Sequence, residues 1–219
     1  RLHPGGWRHF LDYANGTLGD WGVHWLDQIT WWSEEKYPKR VFSSGGRPVR
    51  GAPVNNAEAM TSDTPDSQVA VYDYEEFTVT WEHRRFAMNN TEHHRYGAYF
   101  YGTEGILHIG WRDGWTFYPA KKNGQKAHGD PRFDNEKDGH NLPPLWADFM
   151  KAIVEKNHTP AADIEPAHRS SVLPMLGMIS YRLGRSLQWD GAKEQILNDQ
   201  EANHLLRRDY RKPWVYPKV

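Results

Sequence analysis

The sequence predicts an α+β fold in which helices pack on one face of an open, mostly antiparallel β-sheet. An apolar helical pattern occupies residues 18–32, and short strand patterns separated by tight turns fill much of residues 40–118. An amphipathic helical pattern follows at residues 145–156, and a second helix is predicted at 167–183 with Gly184 at the C-cap position. Helices and strands that occur in separate blocks are typical of α+β domains. The 219 residues suit one large domain or two small ones.

Composition excludes several functional classes. The net charge is −1 with acidic and basic residues interspersed, so we expect no nucleic-acid partner and no membrane-surface patch. No apolar run approaches the length of a transmembrane helix. The chain has no cysteine, which excludes disulfides, thiol catalysis and cysteine-based metal sites. Eleven Trp, eleven Tyr and eight Phe provide enough apolar area for a sizeable core.

The first helix carries the main candidate chemistry. Thr17 is a good N-cap, and Asp20 three residues later completes a Thr-x-x-Asp capping box for a helix expected to reach Trp32. Helical spacing places five apolar residues on one stripe, Leu18, Trp21, Trp25, Ile29 and Trp32. A second stripe carries Asp20, His24 and Asp27. We expect little of this helix to face water, so its polar side chains should be paired or used in chemistry.

Asp20 and His24 are one helical turn apart, so the carboxylate can fix the imidazole tautomer and form an acid/base pair. The alternative is that Asp20 only caps the helix and His24 is a hydrogen-bonded core histidine. Asp27 is interpreted as a helix-surface or supporting group. The dipeptide Trp7-Arg8, just before this helix, suits binding of a planar or anionic group, or is a surface arginine over a packed tryptophan.

Metal binding is not predicted. Asp20, His24 and one further histidine could form a ligand triplet, the candidates being His83, His93 and His94. Twelve histidines make such triplets easy to draw, and no His-Glu-x-x-His spacing is present. We therefore expect no metal site.

The strand patterns lie at residues 40–42, 68–74, 77–84, 96–101, 106–111, 115–118 and 187–189, with a surface loop at 119–141 and a last helix at 201–207. The strand at 68–74 has apolar residues on both faces, Val69 and Val71 on one and Ala70, Tyr72 and Tyr74 on the other. Helices can cover only one of these faces. An exposed face of this composition predicts a homo-oligomer built sheet to sheet.

The segment Gly16-Thr17-Leu18-Gly19-Asp20-Trp21-Gly22-Val23-His24-Trp25-Leu26-Asp27 resembles the Gly-x-Leu-x-Asp-x-Gly-x-His-x-x-Asp signature of the glucose–fructose oxidoreductase / inositol dehydrogenase / rhizopine catabolism (Gfo/Idh/MocA) family. Further similar segments run in order through nearly all of the chain. They include 63–66, 77–84, 101–105, 162–165, 168–170, 181–185 and 209–214. The similarity is to a bacterial branch of sugar-dehydrogenase-like proteins.

The resemblance implies that residues 1–219 are one C-terminal domain that binds substrate and oligomerises, with a dihydrodipicolinate-reductase-like α/β fold. In the family, an N-terminal Rossmann domain binds NAD or NADP and supplies a Glu-Lys-Pro motif with a catalytic lysine. No Rossmann domain is found in this chain, and Glu35-Lys36-Tyr37-Pro38 is not that motif. We therefore expect the isolated chain to be inactive.

The resemblance also implies residue roles. His24 matches the acid/base histidine, Asp20 matches the acidic residue that assists it and contacts substrate, and Trp7-Arg8 looks like a pair that reaches the cofactor in some members. Arg84 and the loop at 85–95 are expected to line the substrate pocket, although no motif supports them. The implied reaction is oxidation of a secondary alcohol of a sugar, polyol or glycoside.

Two alternatives remain open from sequence. One is an NAD-dependent glycosidase or elimination enzyme on the same scaffold, because fold does not fix chemistry. The other is a non-catalytic module that binds sugar or oligomerises, for which the missing lysine motif is the supporting feature. The compartment is also open, cytoplasmic or exported to the periplasm.

Overall fold

The computed structural model describes residues 4, 6–54, 61–87, 94, 96–132 and 142–217. A 3₁₀ turn at Trp7–His9 precedes four helices, α1 (Gly16–Trp32), α2 (Leu142–Val154), α3 (Ile164–Leu183) and α4 (Gln200–His204). The strands are β1 (Arg40–Gly46), β2 (Ser67–Asp73), β3 (Thr78–Arg84), β4 (Ala98–Gly102), β5 (Gly105–Ile109), β6 (Trp115–Pro119), β7 (Ala127–Gly129), β8 (Leu187–Asp190) and β9 (Gln195–Ile196).

The α+β class and the antiparallel pairing of the strands are confirmed. The strands form two sheets rather than one, with the orders β3-β2-β1-β8-β9 and β4-β5-β6-β7. Contacts divide the chain into two compact units. The first unit combines residues 1–86 with 165–219 and holds the five-stranded sheet, and the second is residues 87–164. The first unit is closed by the pairing of β8 with β1, two strands that are far apart in sequence. Local turn signals contain no information about such a pair, so they do not predict the division.

Strand β2 shows the predicted alternation. Ala70 and Tyr72 are fully buried, whereas Val69 is 37% exposed. The buried face is covered by α3, because a Cβ built on Gly177 would lie 2.8 Å from the Tyr72 hydroxyl and 3.5 Å from Cβ of Ala70. Only a residue without a side chain lets the helix approach the sheet this closely. Complete burial also raises the pKa of the Tyr72 phenol.

Strand β1 extends to Gly46, beyond the predicted end at residue 42. The Gly45-Gly46 pair that resembles a turn in sequence is part of the ladder, with Gly45 opposite Gln68. A Cβ on Gly45 would lie 2.9 Å from Cα of Gln68. This glycine therefore permits close approach of two strands, a role that is hard to distinguish from a turn in sequence.

Helix α1 packs against α3. A Cβ built on Gly22 would lie 3.6 Å from Cβ of Pro174, which is buried inside the continuous helix α3. Gly184 has a φ of 65° and its N–H donates to the Ser180 carbonyl at 2.8 Å, as expected for a C-cap glycine. Thus α1, which carries the family-like motif, is positioned by the helix that covers the main sheet.

The sheet of the second unit has two different faces. Its register aligns four polar or aromatic residues in one row across the strands, Tyr99, His108, Thr116 and His128. The neighbouring row, on the opposite face, is apolar and includes Phe100, Leu107 and Phe117. Strand β7 lies inside the predicted surface loop 119–141, of which residues 133–141 are outside the described residues.

None of the described helices combines the length and apolar character needed to span a lipid bilayer.

Candidate active site at the start of α1

Helix α1 starts at Gly16, two residues before the start that a Thr17 N-cap implies, and the φ of Gly16 is 65°. A Cβ at this position would lie 2.8 Å from Cβ of Thr64, so both backbone conformation and space require glycine. The predicted capping box at Thr17 is wrong. The N-cap is Asn15, and within the described residues Oγ1 of Thr17 is buried without a hydrogen-bond partner.

Asp20 instead pairs with Arg8. Nε of Arg8 donates to Oδ1 of Asp20 at 2.9 Å, with the two side chains 43% and 34% exposed. The Arg8 guanidinium also lies 4.7 Å from the centre of the Trp7 ring. An ion pair this exposed adds little to stability. The structure thus brings Trp7, Arg8 and Asp20 together at the protein surface, where a ligand can reach them.

His24 is on the same helix one turn after Asp20, and its side chain is exposed. The expectation that little of α1 faces water is wrong. The buried face carries Gly16, Leu18, Gly22, Trp25 and Leu26. Of the predicted apolar stripe, Trp21 is 38% exposed and Trp32 is 67% exposed. A tryptophan pattern at helical spacing therefore marks the exposed side of this helix as well as its core side.

The loop at Asp63-Thr64 is hydrogen-bonded to the segment that precedes α1. Oδ1 of Asp63 accepts from the backbone N–H of Leu11 at 2.8 Å, and the His9 carbonyl accepts from the backbone N–H of Asp63 at 3.1 Å. The Thr64 hydroxyl also donates to the His9 carbonyl at 3.3 Å. These bonds fix the Trp7–His9 turn beside the first turn of α1. In the structure, the family-like segment 63–66 therefore positions the backbone beside the site.

His9 is a residue that sequence reasoning missed. Burial lowers the pKa of its imidazole to about 4, assisted by the nearby positive charges of Arg85 and Arg50. The backbone carbonyl of Asp66, a buried residue, accepts from the N–H of Arg85 at 2.8 Å, and its Oδ2 accepts from the N–H of Arg50 at 3.0 Å. Only the fold assembles these distant residues, so no local motif could have identified them.

The predicted substrate residue Arg84 pairs with Glu82 on the same strand. Burial lowers the pKa of its neighbour Arg85, and the nearby positive charge of Arg50 lowers it further. Most of the predicted 85–95 pocket loop, residues 88–93 and 95, lies outside the described residues.

Among the described residues, Asp20 and His24 belong to no group of three possible metal ligands. Nδ1 of His83 accepts a hydrogen bond from the Trp81 indole N–H at 3.0 Å, and burial lowers the pKa of His83 to about 4. His94 belongs to the second unit, where its ring contacts His108 and Asp113. His93 lies outside the described residues.

Two family models match the chain. One, described as the GFO/IDH/MocA C-terminal domain, matches residues 1–108, which include the whole α1 motif. The other, described as the oxidoreductase family C-terminal alpha/beta domain, matches residues 134–216. The chain belongs to the Gfo/Idh/MocA oxidoreductase family. Both matches are to C-terminal domains, which confirms the resemblance drawn from the α1 motif.

Solved structures of Gfo/Idh/MocA-type oxidoreductases share the fold. Levoglucosan dehydrogenase in complex with NADH and L-sorbose has a TM-score of 0.60 at 16% identity, covering 84% of this chain and 52% of that one. An NAD-binding oxidoreductase from Klebsiella pneumoniae has a TM-score of 0.61 at 18% identity, covering 84% and 53%. An Agrobacterium radiobacter oxidoreductase with NAD+, L-tartaric acid and magnesium has a TM-score of 0.57 at 13% identity, covering 79% and 49%.

The chain spans about half the length of the solved structures that it matches. A comparison with curated protein sequences finds no match. The family assignment therefore rests on the two domain matches and on the fold.

Proposed function

We propose that this chain is the substrate-binding domain of an NAD(P)-dependent oxidoreductase that oxidises a secondary alcohol of a sugar, polyol or glycoside. The observation that carries the proposal is that His24, an exposed residue of α1, follows the Arg8–Asp20 ion pair by one helical turn. An exposed imidazole beside a positioned carboxylate can exchange a proton with a substrate hydroxyl. The L-sorbose complex of levoglucosan dehydrogenase supports a carbohydrate ligand class.

The proposed roles follow from where the proton and the hydride of the substrate must go. Oxidation of a secondary alcohol removes a hydroxyl proton and a hydride from the same carbinol group. His24 accepts the hydroxyl proton at a ring nitrogen, and the nicotinamide supplies the hydride acceptor when the cofactor is bound. Asp20 accepts a hydrogen bond from a substrate hydroxyl with the oxygen that Arg8 leaves available. Arg8 holds the carboxylate in place through its bond to Oδ1.

Trp7 and Arg8 fit a contact with the cofactor. Trp7 is 40% exposed and offers an aromatic face, while the adjacent guanidinium is a donor suited to phosphate or carboxamide oxygens. The Rossmann domain that supplies the main NAD(P) site in this family is outside the chain. The proposed contribution of this domain is therefore to present substrate and one side of the cofactor pocket.

The test uses the full-length enzyme with its Rossmann domain. Reduced cofactor formation is measured across a panel of sugars and polyols for the wild type, His24→Gln and a control, His168→Gln. His168 is also exposed and pairs with Glu194 at 2.6 Å, far from α1 in sequence. We expect His24→Gln to lower kcat about 100-fold or more, the scale of general acid–base catalysis, and the control to retain activity.

Retention of full activity by His24→Gln would contradict the proposed proton transfer. Products are identified in the same assays. Cleavage of a glycosidic bond without net formation of reduced cofactor would replace oxidation by the redox-neutral chemistry. Binding of sugars without any turnover would indicate a non-catalytic module.

We also propose that the exposed face of the five-stranded sheet is a homo-oligomer interface. Phe42 and Val69 are 44% and 37% exposed on that face, and the register places Val71 directly opposite Phe42. A contiguous apolar patch on a sheet is typical of a protein–protein contact. In a two-fold dimer the same patch of each copy faces its counterpart, so a second copy of the chain can cover this face.

A further inference from the structure

A cluster of two histidines and one aspartate lies in the second unit. His94, His108 and Asp113 each offer one ligand atom, and these three atoms lie within 4.8 Å of one another. In the part of the chain that the structure describes, no other group of three acidic, histidine or cysteine side chains has this spacing. Neither the proposed oxidation nor the α1 motif uses these residues.

His108 is the buried member of the cluster. Its side chain is completely buried on β5, and within the described residues neither ring nitrogen forms a hydrogen bond of normal geometry. The backbone of Tyr96 approaches the ring without reaching that geometry. Gly97 leaves the space that the ring occupies, because a Cβ there would overlap Nε2. A buried imidazole normally has a hydrogen-bond partner, so this position lacks an interaction that a bound ion can supply.

His94 and Asp113 form the solvent side of the cluster. Nδ1 of His94 lies 2.9 Å from Oδ2 of Asp113, and Nε2 lies 3.1 Å from the Tyr118 hydroxyl. The His94 side chain is 16% exposed and the Asp113 side chain is 50% exposed. Asp113 is held in the turn between β5 and β6, which closes with a 2.8 Å bond from the Gly110 N–H to the Gly114 carbonyl. An ion from solvent can therefore reach the cluster past Asp113.

We propose that His94, His108 and Asp113 bind a divalent transition-metal ion of the Zn²⁺ class. Two imidazole nitrogens and one carboxylate oxygen are a ligand set that suits such ions, whereas Mg²⁺ and Ca²⁺ prefer oxygen ligands alone. The ion takes the place of the proton between His94 and Asp113. Tyr118 keeps the other nitrogen of His94 oriented, the usual support for a ligating imidazole. Water completes the coordination on the Asp113 side.

Binding requires a defined rearrangement. The rings of His94 and His108 are stacked, with centres 3.5 Å apart and planes inclined by 15°. A metal ion is bound along the in-plane lone pair of each imidazole, and the lone pairs of stacked rings do not converge on one point. His108 is enclosed, so the partly exposed His94 ring must tilt out of the stack. The ligand atoms also draw together to the roughly 3.3 Å separation of a tetrahedral site with bonds of about 2 Å.

The test is metal titration of the untagged chain after removal of metals with a chelator. Zn²⁺ binding is measured by calorimetry, and Co²⁺ binding by visible absorption, whose intensity reports tetrahedral geometry. We expect one tightly bound ion per chain and a loss of affinity of about 10-fold or more in His94→Gln and in Asp113→Asn. The matched control is His128→Gln, because His128 lies in the same row as His108 but pairs with Thr116 and Asp130.

Both ligand variants change partly exposed side chains, so they should fold, which circular dichroism checks. The proposal is overturned if Zn²⁺ does not bind at one ion per chain. Equal affinities in the wild type, His94→Gln and Asp113→Asn also overturn it, as does a loss of binding in His128→Gln alone. Because the readout is binding and not turnover, the outcome is independent of the proposed oxidoreductase activity.

Discussion

The Ser170 hydroxyl donates to Oδ1 of Asp27 at 2.5 Å and joins α3 to α1. Ser170 is 1% exposed, and its oxygen also lies 2.7 Å from the Thr30 hydroxyl. Asp27, the last acidic residue of the α1 motif, therefore holds the helix in position. This agrees with its interpretation as a supporting residue, and it separates Asp27 from the proposed chemistry of Asp20 and His24.

Replacing Ser170 by alanine is expected to lower the free energy of unfolding by about 1–3 kcal/mol, because Asp27 loses its buried hydrogen-bond donor. The control is Ser171→Ala. Ser171 is half-buried and its hydroxyl donates to the Ala167 carbonyl one turn earlier on the same helix, so its loss should have little effect. Chemical denaturation of both variants measures the difference. Equal stabilities would show that the interhelical bond contributes nothing.

Gly177→Ala is expected to destabilise the chain by about 1–3 kcal/mol through overpacking, although alanine favours helix. The added methyl group would lie 2.7 Å from Cδ2 of Leu18 and 2.8 Å from the Tyr72 hydroxyl, all of them in the core. Gly46→Ala is the comparison, since a Cβ there meets no atom within 4 Å. Thermal denaturation distinguishes the two. A Gly177→Ala protein as stable as the wild type would mean that α3 moves freely over the sheet.

The half-buried imidazole of His83 predicts a pH dependence of stability. Burial lowers the pKa of His83 from 6.5 to about 4, so the unfolded chain binds a proton in this interval that the folded chain does not. The free energy of unfolding therefore falls as the pH falls from about 6.5 to about 4, and His83 adds no further loss below that. His83→Gln should make this slope shallower, and its amide oxygen can still accept from Trp81. Parallel slopes for variant and wild type would contradict the prediction.

The contribution of the Arg8–Asp20 ion pair can be tested against a second arginine–aspartate pair in the same chain. Arg40 pairs with Asp73 at 2.6 Å in the sheet, away from the proposed site. In the full-length enzyme, Arg8→Met should lower kcat/KM about 10-fold or more, because Asp20 loses a charged hydrogen-bond donor. Arg40→Met should change it little. If both variants lose activity equally, the effect of Arg8 is on folding and not on the site.

The exposed sheet face predicts association. Phe42→Lys introduces a charge into the centre of the proposed interface and should shift the chain from oligomer to monomer in sedimentation velocity. Thr103→Lys provides the control, since Thr103 is exposed in the turn between β4 and β5 and is not part of the five-stranded sheet. A wild-type chain that sediments as a monomer at all concentrations would refute this interface.

Local patterns identified the elements of this fold well. The α1 signature, the strand alternation at Ala70 and Tyr72 and the C-cap at Gly184 depend on neighbours within a few residues, and such signals can be read from sequence. The capping box failed because Asp20 has a stronger partner, Arg8, that approaches from outside the helix. Propensity rules do not include such tertiary partners.

The surroundings of the candidate site were less predictable. Arg50 and Arg85 both bond to Asp66, and their charges act on His9, only after the first unit has folded. Arg84, which was expected to bind substrate, ends β3 and pairs with Glu82, and its role at the site stays a prediction. Likewise, His94 was grouped with Asp20 and His24, whereas its contacts are with His108 and Asp113.

The order of strands in the first sheet has a consequence for synthesis on the ribosome. Strand β1 pairs with β2 on one side and, through Arg40 and Val41, with β8 on the other. Roughly 150 residues separate these partners along the chain, so one edge of β1 stays unpaired until β8 has been translated. A nascent chain of this protein therefore exposes an open strand edge throughout production of its second unit. Chaperones that shield strand edges would act during that interval.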